Sequence, residues 1–139
     1  MASVQKSIRL QEDIVKEIEQ LARERGRDFT AMTNELLQEA VKMKRCPGIV
    51  FTDGTSGRRA RIAGTGIEAW EVIGAYKSVG NDYDRLRKAY NWLTDQQLRA
   101  AVGFYQAYPE DAESLLERND AVNAESVRKR HPFLPGGVY

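Results

Sequence analysis

The feature that most limits what this chain can fold into is the run from Val4 to Arg45, where a short alternating segment leads directly into two amphipathic helical patterns. In Val4-Gln5-Lys6-Ser7-Ile8-Arg9-Leu10, Gln5, Ser7 and Arg9 alternate with Lys6, Ile8 and Leu10. Successive side chains point to opposite faces of a strand, so the spacing predicts a half-buried strand with a polar face and an apolar one. Glu12 and Asp13 then place negative charge where the dipole of a starting helix favours it. Ile14, Ile18, Leu21 and Ala22 form one apolar stripe, and Gly26 is a suitable C-terminal cap, which predicts a first helix from Glu12 to Arg25. Asp28 or Thr30 can cap a second helix. Its inner face would be Phe29, Met32, Leu36, Leu37, Ala40 and Val41, its basic end Lys42-Met43-Lys44-Arg45, and its breaker Cys46-Pro47-Gly48.

One strand and two helices in about forty-five residues bury too little apolar surface to be stable alone, and a lone strand leaves its backbone groups unpaired on both edges. Two copies resolve both problems by pairing their strands antiparallel and crossing their helices into a shared core. The expectation is an obligate homodimer, with higher-order pairing on DNA as an extension.

The order strand, helix, turn, helix, with Ser7-Ile8-Arg9-Leu10 and Arg25-Gly26-Arg27, resembles the ribbon-helix-helix family of Arc, MetJ and CopG-type repressors. The likeness covers about a third of the chain. Gln11 stands where that family often has proline, and Lys6 where it usually has an apolar residue. The resemblance implies an intertwined dimer whose paired strands enter the DNA major groove, with base contacts carried over residue by residue onto Gln5, Ser7 and Arg9. Amide and arginine side chains suit that task, since they bond the edges of adenine and guanine. An ordinary solvated strand face is the alternative. Phosphate contacts are expected at the start of the second helix, from Arg27 and the Phe29 and Thr30 amides, although Asp28 would repel a phosphate and also reads as a plain helix cap.

After Pro47 the pattern changes. Ile49-Val50-Phe51-Thr52, the turn signal Asp53-Gly54, and Arg59-Ala60-Arg61-Ile62-Ala63 predict a β-hairpin with a loop of several residues. Helices follow from about Ile67 to Val79, closed by Gly80, and from about Tyr83 to Tyr90. Thr94 and Gln97 make a capping box, with Leu93 and Leu98 as a hydrophobic staple, so a helix should run from Asp95 to about Tyr108. Pro109 suits the first position of a further helix continuing past Asn119.

This block, through Pro47-Gly48-Ile49, Gly57-Arg58-Arg59-Ala60-Arg61-Ile62-Ala63-Gly64-Thr65-Gly66-Ile67 and Leu93-Thr94-Asp95-Gln96-Gln97-Leu98-Arg99-Ala100-Ala101-Val102, resembles the domain-of-unknown-function family 433. Its members are small helix-turn-helix-like modules found in antitoxins of the VapB type. Gly66 occupies the place of that family's arginine, so no role of the arginine is carried over. The predicted organisation is residues 1–45 for dimerisation and DNA binding, 46–122 for the hairpin and helix-turn-helix-like antitoxin domain, and 123–139 for a C-terminal tail. The fold class is mainly α with short β.

Secondary DNA contacts in this block would come from Arg58, Arg59 and Arg61 on the hairpin and from Gln96 and Arg99 near the start of the Thr94 helix. A hairpin edge protected by charge accounts equally for the arginines, and the capping box occupies Gln97. The tail, with Arg128, Lys129 and Arg130 followed by Phe133, Leu134 and Tyr139, reads either as an extended toxin-binding segment or as a frayed terminus. The antitoxin resemblance implies a PIN-like ribonuclease as the toxin.

Other function classes fit poorly. The formal net charge is only +1, so nucleic-acid contacts must rely on local clusters rather than the whole-protein field. A single cysteine, Cys46, and a single histidine, His131, exclude an intrachain disulfide framework and leave no zinc set. No phosphate loop, nucleophilic triad or metal-spaced carboxylates suggest an enzyme, and Cys46 reads as a small apolar residue. Neither a membrane span nor a signal-peptide core is evident, so a cytoplasmic protein without cofactor or metal is expected. The reading is an antitoxin of a type II toxin-antitoxin system that represses its own operator. A stand-alone ribbon-helix-helix repressor is the alternative, and a protein-interaction adaptor a third.

Overall fold

A computed structural model describes residues 2–54 and 57–130, with 121–130 described by backbone alone. The chain divides into two units, Met1–Lys42 and Met43–Tyr139. It is mainly helical, with one small antiparallel hairpin. Among the described residues no helix is long and apolar enough to cross a membrane.

In the first unit the expected helices form within their expected bounds, α1 at Glu12–Arg25 and α2 at Phe29–Arg45. The division between units falls in the last turn of α2. Gly26 stops α1 in the left-handed region (φ 63°, ψ 36°), where its amide and that of Arg27 turn back to the last-turn carbonyls, Arg27 N–H reaching Ala22 O at 2.9 Å. Asp28 restarts the chain as a cap, its Oδ1 accepting from the Ala31 amide at 2.7 Å. The core between the helices is small: Ile18, Ala22 and Met32, with Leu21 and Leu36 packed against them.

Residues 2–10 form no strand in the single chain, whereas the sequence-based expectation is of a strand that pairs with a second copy. An isolated strand cannot complete a hydrogen-bonded ladder, and the one sheet of the described residues is β1 with β2.

The second unit opens with β1 (Ile49–Gly54) and β2 (Gly57–Ile62), paired from Ile49↔Ile62 to Gly54↔Gly57. The connection is therefore residues 55 and 56, shorter than expected, because Asp53 and Gly54 belong to the ladder rather than to the turn. Helix α3 (Ala69–Ser78) starts two residues later than the apolar pattern predicts. Thr65 Oγ1 accepts from the Ile67 amide at 3.0 Å, Ile67 O accepts from Ile62 N–H at 3.0 Å, and Glu68 bridges to Arg61, so Ile67 and Glu68 extend along β2. Glu68 then forms a capping box with Glu71.

Helix α4 (Tyr83–Ala89) is capped by Asp82. Helix α5 (Asp95–Ala107) carries the predicted box, with Gln97 N–H to Thr94 Oγ1 at 3.1 Å and Thr94 N–H to Gln97 Oε1 at 2.9 Å. Helix α6 begins at Pro109 and continues to Arg130. The basic run Arg128-Lys129-Arg130 is thus helical backbone rather than extended, since nothing between Pro109 and Arg130 breaks the helix and the next proline is Pro132.

The hairpin lays its Ile49, Phe51 and Ala60 face on α5, where Phe104 sits edge-on to Phe51 (ring centroids 6.2 Å) and beside Tyr108 (5.5 Å). A second cluster joins Ile62 to Val72, Leu86, Leu98 and Ala101. This core ties the hairpin, α3, α4 and α5 together and supports the candidate groups on the hairpin and on α5.

Candidate functional site

In the first unit the apolar stripe is only half used. Val4 (76% exposed), Ile8 (70%), Leu37 (53%) and Val41 (51%) face solvent in the single chain, with Leu10, Ile14 and Phe29 also exposed. Seven large apolar side chains of this unit are therefore exposed among the described residues. Gln5, Ser7 and Arg9 alternate with them and are themselves exposed.

The predicted phosphate group is partly engaged within the chain. Arg27 Nη1 donates to Glu35 Oε1 at 2.7 Å. The Asp28 carboxylate serves Ala31, and Met32 N–H bonds Asp28 O, which leaves the Phe29 and Thr30 amides without a partner among the described residues. Asp28 therefore works as the helix cap that its residue type suggested, while those two amides retain donor capacity.

In the second unit the three hairpin arginines do not form one patch. Arg58 donates to Asp53 Oδ1 at 3.0 Å and to Phe51 O at 3.1 Å. Arg59 lies 3.2 Å from Glu68 Oε1, in a pair whose side chains are 14% and 23% exposed. Strand alternation puts Arg59 and Arg61 on the face opposite Arg58. Arg61 Nε is buried with no hydrogen-bond partner among the described residues, as is Thr52 Oγ1 on the same face.

Gln96 is exposed beside a small cleft of about 230 Å³ bounded by Gly48, Ala63 and Ala100. Gln97 is held by the capping box. Arg99 Nε donates to Asp95 Oδ2 at 2.8 Å, and its guanidinium lies 4.7 Å from the Tyr83 ring centroid. Tyr83 in turn donates its hydroxyl to Asp95 Oδ1. The Tyr83 hydrogen bond first and the Arg99 bond second hold the Asp95 carboxyl below its ordinary range, while burial, and then the hydrogen bond to Asp95, push the Tyr83 phenol up. This cluster clamps α4 to α5. The Asp95–Arg99 spacing of four was its one sequence signal; the Tyr83 contact crosses twelve positions and had none.

Residues 49–105 match the family described as Protein of unknown function (DUF433). No curated protein and no solved structure matches the chain. The DUF433 segment runs from the first residue of β1 to the last turn of α5, so it takes in the hairpin, the Glu68 and Thr94 capping boxes and the Tyr83–Asp95–Arg99 clamp. Residues 4–45, which carry the ribbon-helix-helix resemblance, lie outside it, as does α6. Of the tail residues expected to bind a toxin, Arg128, Lys129 and Arg130 lie in α6, and Phe133, Leu134 and Tyr139 lie outside the described residues.

Proposed function

We propose that this protein is a dimeric DNA-binding antitoxin. Its first unit pairs with a second copy and presents Gln5, Ser7 and Arg9 to the major groove of its own operator. Its DUF433 unit holds and neutralises a partner toxin of the PIN-like ribonuclease class. The observation that carries the first half is the unspent apolar stripe Val4, Ile8, Ile14, Leu37 and Val41 around a core of only three buried residues. Pairing two copies through residues 4–10 would bury that stripe and supply the ladder that one strand lacks. The polar side chains of the alternation would then face outward together, two sets per dimer.

Support for a partner-binding rather than DNA-reading second unit comes from its cations. Arg58, Arg59 and Arg99 each have a carboxylate partner within the chain. A phosphate would have to compete with those carboxylates, which weakens the counterion-release term that drives non-specific DNA affinity.

The deciding experiment is a binding titration of the full chain on the DNA upstream of its own gene. Arg9→Ala should weaken binding by roughly 10- to 100-fold, the discrimination of one good base contact, while Arg58→Ala should change it little. Unchanged affinity for Arg9→Ala would count against strand readout. Co-purification with a small nuclease encoded beside it would separate an antitoxin from a stand-alone repressor.

A further inference from the structure

Helix α3 meets α6 at Gly74, where an added Cβ would lie 3.1 Å from Leu116 Cδ2. Between them lies an open groove of about 770 Å³. Its apolar lining is Trp70, Ala75 and Leu116, and the Trp70 indole is oriented by donating from Nε1 to Glu68 Oε1 at 3.1 Å. Four carboxylates line it as well: Glu71 on α3 and Glu113, Glu117 and Asp120 on α6. Among the described residues the cation that lines it is Lys77, already 3.9 Å from Glu113 and 5.3 Å from the Tyr105 ring centroid. Glu117 and Asp120 make no ion pair among the described residues. The groove therefore combines apolar side chains with an excess of carboxylates, most of them on α6.

We propose that this groove docks a basic amphipathic segment of a partner protein, with its apolar side chains on Trp70 and Leu116 and its lysines or arginines on Glu117 and Asp120. Tryptophan with an apolar neighbour is the usual anchor of such a surface, and flanking carboxylates select the partner by charge. The same carboxylates repel nucleic acid. The inference rests on reading the DUF433 unit as the partner-binding half and names the partner's chemistry. A ribonuclease holds its substrate through cationic surface, so a groove that takes up those cations would compete with RNA for them.

The test uses the full-length Trp92→Phe variant, in which Trp70 is the sole tryptophan, and the lysine–leucine peptide KLKKLLKKLKK as probe. The peptide should shift Trp70 emission saturably to shorter wavelength. The equally charged KSKKSSKKSKK should bind about tenfold more weakly for want of an apolar face, and Glu117→Lys with Asp120→Lys should cost about tenfold or more. Glu17→Lys with Glu19→Lys, the same change of charge on exposed α1 positions, should leave binding unaltered. Should the reversed pair on α6 fail to fold by circular dichroism, Glu117→Gln with Asp120→Asn makes the same comparison with smaller loss. No saturable shift, equal binding by the serine peptide, or equal loss from the α1 reversal would each overturn the proposal. Operator binding measured on the same proteins keeps the two readings apart: intact operator binding with a failed peptide titration sinks the groove alone.

Discussion

Tyr83 donates its hydroxyl to the Asp95 carboxylate, and through that bond the first residue of α4 is fastened to the first residue of α5. The carboxylate also receives Arg99 from one turn further along α5. One side chain thus serves as helix-start charge, hydrogen-bond acceptor and ion-pair partner.

The Asp95 clamp should show in the pH dependence of stability. Because folding lowers the Asp95 pKa, its contribution is fully present above the unfolded value of about 3.9 and is lost as the pH falls through the lower folded value. The difference in stability between the wild type and Asp95→Asn should therefore be constant near neutrality and shrink below about pH 4. Urea unfolding at a series of pH values measures it, and a difference that grows on acidification would contradict the assignment.

Thr94→Ala removes the acceptor for the Gln97 amide and half of the capping box. A loss of about 1 kcal/mol is expected in chemical denaturation, and Thr94→Ser should recover most of it.

Phe104 is 1% exposed and touches both the hairpin and the end of α5. Phe104→Ala should cost about 3–5 kcal/mol, a large fraction of the roughly 5–15 kcal/mol of an ordinary domain, and so lower the melting temperature of the second unit. Because the two units have separate cores, the circular-dichroism melt should lose its second-unit transition first.

Gly26 sits at φ 63°, and a Cβ added there would meet nothing within 4 Å, so the cost of substitution is conformational alone. Gly26→Ala should destabilise the α1–α2 unit by about 1 kcal/mol, and Gly26→Asn by less, since asparagine tolerates the left-handed region. Thermal melts of the two variants against the wild type give the order.

Leu37 is 53% exposed in the single chain. If a second copy covers it, Leu37→Glu should abolish dimerisation by light scattering at micromolar concentration and take operator binding with it. A chain that never paired would tolerate the change within about 0.5 kcal/mol.

Much of the fold was legible because its signals are local. The bounds of α1 were set by Glu12, Asp13 and Gly26, and the start of α5 by Thr94 and Gln97, all within a turn of the features they control. The departures arose where distant groups intervened. Ile67 was drawn out of α3 by its bond to Ile62, and Gly54 out of the turn by Gly57 across the ladder. The basic run after Val127 read as tail because of Pro132 and the glycines beyond it, yet α6 carries its backbone through Arg130.

The candidate sites follow the same division. Sequence alone determined the residue types and their alternation at Gln5, Ser7 and Arg9, the helix stops and caps, and the apolar spacing of the first two helices, because each depends on spacing along one segment. Only the tertiary structure decided which charges are already spoken for and which stand open. Arg58, Arg59 and Arg99 look like free cations in the sequence but are neutralised by Asp53, Glu68 and Asp95, whereas Glu117 and Asp120 line a groove with Trp70, which lies more than one helix away. Coulomb attraction and desolvation depend on separation in space, and the chain fixes that separation only when its cores close.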